Sequence, residues 1–76
     1  MNKVRRKKLD AILEEIETIK ELLEEVKDEE QEAMDNMPES LQGSERYETM
    51  EEAISSLEEA LENLGSAVDN IEEAME

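Results

Sequence analysis

Seventy-six residues with 24 acidic and eight basic side chains carry a net charge of −16, so this is a small acidic chain with little material for a core. Cysteine and histidine are both absent, which excludes disulfides, thiol and imidazole chemistry and the usual zinc sites. No apolar run approaches the roughly 20 residues a membrane helix needs. Lys3 to Lys8 is not followed by the continuous apolar stretch of a signal peptide, so a cytoplasmic location is expected.

From Leu9 onward the apolar residues fall on a heptad: Leu9, Ile12, Ile16, Ile19, Leu23, Val26, then Ala33 and Met37, interrupted at Glu30. This predicts a first helix over about 3–35 with one packed seam. Asn36 to Ser44 reads as a turn. Pro38 disfavours helical geometry at Met37, a short helical turn suits Pro38 to Gln42, and Gly43 followed by Ser44 reads as a break and an N-cap. A second helix over about 45–75 follows, with its seam at Tyr47, Met50, Ile54, Leu57, Leu61, Leu64, Val68, Ile71 and Met75. Gly65 weakens that helix without ending it. The expected fold is therefore all-α, a single antiparallel helical hairpin. Leu23 should face Leu61, Ile16 Val68, Ile12 Ile71, and Glu30 Ile54. The basic start then lies beside Glu72, Glu73 and Glu76, and the two clusters compensate one another.

A second apolar stripe accompanies the seam. Ala53, Ala60, Ala67 and Ala74 recur every seven residues, and Leu13 and Leu22 flank the seam of the first helix. A two-helix hairpin uses one stripe per helix, so these residues predict a homodimer that completes a four-helix bundle. Alanine is also simply a good helix former.

The chemistry-bearing residues are nearly all carboxylates. Asp10, Glu14, Glu17, Glu21, Glu24, Asp28 and Asp35 follow one another at steps of three and four, broken only by Gln31, which aligns them on one outward face. From Asp10 to Asp35 there are twelve acids and two lysines, a net charge of −10. Over roughly 38 Å of helix that is about one charge per 4 Å, against about one per 3.4 Å along a DNA strand. Such a ladder can occupy a basic groove, or it can be a solvated face that keeps the chain soluble.

Glu21, Glu24, Glu25 and Asp28 form an E-x-x-E-E-x-x-D string, similar to the paired acids that all-α nucleotide pyrophosphohydrolases present to magnesium. Here all four project outward, whereas a bundle metal site projects inward. No EF-hand loop is present. Catalytic, cofactor-binding and metal residues are therefore expected to be none. Met34, Met37, Leu41, Tyr47 and Met50 gather at the turn. They form either an adaptable binding surface, with Met37, Leu41 and Tyr47 as its contacts, or the cap of the core. Glu30 in the seam calls for a partner among Lys27, Arg46 and Tyr47, or for an open, wet seam.

The segment Asp28 to Ile54, with its D-E-E-Q-E-A, D-N-x-P-E-S-L-Q and S-E-R blocks, resembles a family of small acidic helical proteins of unassigned function encoded by bacteriophages and prophages. The resemblance implies a bacterial host cell as the setting. The expected function is that of a non-enzymatic acidic binding protein, a DNA mimic that inhibits a host defence factor by occupying its basic, nucleic-acid-binding surface. The alternatives are a phage assembly or structural accessory that binds through its turn or apolar flank, and a magnesium-dependent pyrophosphohydrolase-like enzyme. Expected partners are a protein with a basic surface and a second copy of the chain, with no nucleic acid or membrane bound directly.

Overall fold

Local signals account for where each helix begins and ends. In the computed structural model, which describes residues 1–76, helix α1 spans Lys3–Asp35, a 3-10 turn covers Glu39–Leu41, and helix α2 spans Glu45–Met75. The Asn2 side chain caps α1 by accepting the Arg5 amide at 2.9 Å. At its other end the Asn36 and Met37 amides close the last turn on the Glu32 and Met34 carbonyls before Pro38 stops the helix. The Leu41 amide then donates to the Pro38 carbonyl at 2.8 Å. Gly43 takes a φ of +88°, a left-handed conformation that favours glycine. Ser44 follows in extended geometry, and its hydroxyl accepts the Tyr47 amide at 3.3 Å. Glu45 and Glu48 sit in the first turn of α2, where the helix dipole favours them.

The two helices pack antiparallel into a rod 59 Å long and only 15 by 12 Å in section. Two helices enclose little. Only Met34 (8 % exposed) and Ile54 (7 % exposed) are buried, and both lie toward the turn end. The seam of α2 is as its heptad predicts. Tyr47, Met50, Leu57, Leu61, Leu64, Val68, Ile71 and Met75 are half-buried around Ile54.

The seam of α1 differs from expectation. Leu9, Ile16, Leu23 and Met37 turn inward with Glu30, but their companions are Leu13, Lys20, Lys27 and Met34 rather than Ile12, Ile19, Val26 and Ala33. The latter four are exposed, and the expected pairing of Ile12 with Ile71 does not form a buried contact. Both flanks border the same central stripe, and one partner helix covers only one of them. The flank it covers contains two lysines. Their four-carbon stems lie along apolar surface while the amines reach outward, Lys20 to Glu17 at 3.8 Å and Lys27 to Glu24 at 3.0 Å. Glu30 is half-buried and makes no ion pair or side-chain hydrogen bond. Glu30 keeps partial access to solvent.

Candidate functional site

All seven ladder carboxylates, Asp10, Glu14, Glu17, Glu21, Glu24, Asp28 and Asp35, are exposed along α1. Because α1 is one unbroken helix of 33 residues, these charges hold a constant spacing over its whole length. Three ladder members are engaged locally. Glu17 and Glu24 pair with Lys20 and Lys27, and Asp35 accepts a hydrogen bond from the Gln31 amide at 3.0 Å. Asp10, Glu14, Glu21 and Asp28 have no such partner. The sequence reading missed these pairs because it assigned the two lysines to neither seam nor ladder. Their i, i+3 spacing from Glu17 and Glu24 is the signal that finds them.

The Glu24 carboxylate, accepting a hydrogen bond from the Lys27 ammonium, holds that lysine above its ordinary pKa of 10.5. Burial acts in the opposite sense, and the charges of Glu24, Glu58 and Asp28 add to the rise. Glu58 belongs to α2, so Lys27 feels charge from both helices.

Glu21, Glu24, Glu25 and Asp28 line an open depression on α1 together with Glu29 and Glu32. Depth is missing, and no group of three or more carboxylates converges as metal ligands must. At the turn, Met34 is buried and Met37, Tyr47 and Met50 are half-buried, so they close the end of the core. Of the candidate turn contacts, Leu41 alone is exposed, at 47 %.

The proposed dimer residues divide. Leu13 joins the hairpin seam, while Leu22 is 56 % exposed. Ala53, Ala60 and Ala67 are half-buried beside the α2 seam, and Ala74 is exposed near the end of the helix. The structure adds Ile12, Ile19 and Val26 to Leu22, and these four form an accessible apolar stripe on α1. That stripe lies opposite the ladder. Ile19 stands nine residues from both Asp10 and Asp28, and Ile12 nine from Glu21, which is half a turn around the helix. No helix is long and apolar enough to cross a membrane.

No protein-family model, curated protein or solved structure matches the chain.

Proposed function

We propose that this protein is a non-enzymatic acidic binding protein that presents the α1 ladder to a basic surface on another protein, in the manner of a nucleic-acid mimic. The observation that carries this reading is the ladder itself: seven exposed carboxylates on one unbroken helix, within a stretch whose net charge of −10 over roughly 38 Å comes near the charge density of a DNA strand. A field of one sign along a rigid rod attracts a basic groove and steers encounter with it. The resemblance of Asp28 to Ile54 to phage-encoded acidic proteins makes a host defence factor the partner of choice, met in the bacterial cytoplasm. In this reading the protein acts as a homodimer.

The test is capture of a partner from bacterial lysate at low salt, followed by elution with duplex DNA. Release by DNA of a nucleic-acid-binding protein is the expected result. Replacing Glu17, Glu21, Glu24 and Asp28 together by glutamine preserves helix propensity and removes four charges. Capture should then weaken steeply and lose much of its salt dependence. Unchanged capture by this variant refutes the mimic.

A second reading, an assembly accessory, is favoured by the exposure of Leu41 and of the α1 stripe. It requires capture that survives high salt and is lost on Leu41→Ala.

A further inference from the structure

The hairpin leaves its more apolar flank uncovered. Ile12, Ile19, Leu22 and Val26 are 42, 47, 56 and 50 % exposed, and no segment of the chain lies over them. The accessible surface of the chain is 5835 Å². A compact monomer of 8.7 kDa exposes about 4,700 Å² by the scaling of surface with mass. The excess of about 1,100 Å² is comparable to the roughly 800 Å² each partner contributes to a standard protein interface.

Charge says what covers the stripe. Continued toward the N-terminus, the same face of α1 carries Lys8 and Arg5, four and seven residues before Ile12. Beyond Val26 it carries Glu29 and Ala33, three and seven residues on. Between the ends, Ile12, Ile19, Leu22 and Val26 are interrupted only by the exposed Glu15, so the stripe is mainly apolar in the middle, basic at one end and acidic at the other. Neither Arg5 nor Lys8 makes an ion pair within the hairpin, nor do Lys3, Arg6 and Lys7. The expected compensation by Glu72, Glu73 and Glu76 thus forms no direct pair, and a cationic first turn opposes the dipole of α1. Such a surface is complementary to itself when inverted.

We infer that a second copy of this chain covers the α1 stripe, packed antiparallel about a twofold axis at Ile19. Ile19 is the midpoint of Lys3–Asp35, so the two α1 helices overlap along their full length. Ile12 lies beside the partner's Val26, both being seven residues from the axis. Lys8 lies beside the partner's Glu29, which Arg5 also approaches. The right-handed sense of both helices, run antiparallel, turns Ala53, Ala60 and Ala67 of α2 to this same side, where small side chains admit close approach of the partner's α2. A four-helix bundle results, with the two turns at opposite ends.

The inverse arrangement, with both turns at one end, sets the acidic turn regions of the two copies against each other, and like charges so placed repel. The ladder faces away from the contact and stays open. This dimer gives the homodimer of the mimic reading its face and register, and the two can fail separately: the glutamine variant of the ladder should still dimerise, and a monomer should still carry the ladder.

The experiment is light scattering with mass determination on the full chain at micromolar concentration, joined to single-cysteine crosslinking. The expected mass is twice 8.7 kDa. Ile19→Glu places two carboxylates together on the axis and should weaken self-association by about 100-fold or more, while Ile19→Leu retains the dimer. Ile19→Cys should form a disulfide-linked dimer rapidly under mild oxidation, because the axis brings the two sulfurs together. Leu41→Cys should not, because the turns are far apart. These cysteine variants change exposed side chains and leave the hairpin seam intact. A monomeric mass for the unmodified chain overturns the proposal. So does rapid crosslinking through Leu41→Cys with none through Ile19→Cys.

Discussion

Two glutamines placed three residues apart on the ladder should have different effects on stability, although each removes one negative charge. Glu21 has like-charged neighbours at Glu17, Glu24 and Glu25, three and four residues away, and it makes no ion pair. Each such repulsion costs a helix about 0.2–0.5 kcal/mol, so Glu21→Gln should stabilise the fold by about 0.6–1.5 kcal/mol. Helix propensity does not change, since glutamate and glutamine are close to equal. For a chain of this size, 1 kcal/mol corresponds to about 4–8 °C in melting temperature. Glu24 stands in a balanced setting. It has Glu21 and Asp28 as repulsive neighbours, but Lys20 four residues before it and the Lys27 ammonium at 3.0 Å. Glu24→Gln should therefore leave stability within about 0.5 kcal/mol of the parent. The assay is thermal unfolding by circular dichroism at one fixed protein concentration, in low salt and again in molar salt. At molar ionic strength the screening length falls to about 3 Å, and the advantage of Glu21→Gln should shrink toward zero. A stabilisation equal for both variants, or one that persists undiminished in molar salt, would refute the assignment of the effect to neighbouring charges.

The two glycines should respond in opposite directions. A Cβ at Gly65 meets nothing within 4 Å, so Gly65→Ala should raise stability by about 0.8–1.0 kcal/mol through helix propensity, read from denaturant titration. Gly43→Ala forces a side chain into a φ of +88° and should cost about 1–2 kcal/mol in the same measurement. Ser44→Ala removes the acceptor of the Tyr47 amide and should cost about 1 kcal/mol. For Lys27 the sign follows from its raised pKa. The charged form is favoured in the folded state, so its contribution is complete below pH 10.5 and is lost as pH rises through the folded value. The difference in melting temperature between the parent and Lys27→Gln should accordingly hold near neutrality and narrow above pH 10.5.

Most of the architecture is contained in local chemistry. Asn2, Pro38, Gly43 and Ser44 set the element boundaries because capping, ring closure and left-handed backbone are properties of single residues and their immediate neighbours. The α2 seam from Tyr47 to Met75 is equally legible, since its apolar heptad is uninterrupted and the alanine stripe beside it is too small to compete. The exposure of the ladder also follows from periodicity alone.

The face that α1 turns to its partner does not. The stripe Leu9, Ile16, Leu23, Glu30, Met37 has an apolar flank at Ile12, Ile19 and Val26 and a mixed one at Leu13, Lys20, Lys27 and Met34, and heptad counting favours the first. Packing selects the second, because lysine stems cover apolar surface while their amines reach Glu17 and Glu24. Hydrophobicity ranks a side chain as a whole, whereas burial acts on its atoms separately. Only the folded hairpin thus shows that the exposed apolar stripe of this protein runs through Ile19, on the side of α1 away from the carboxylate ladder.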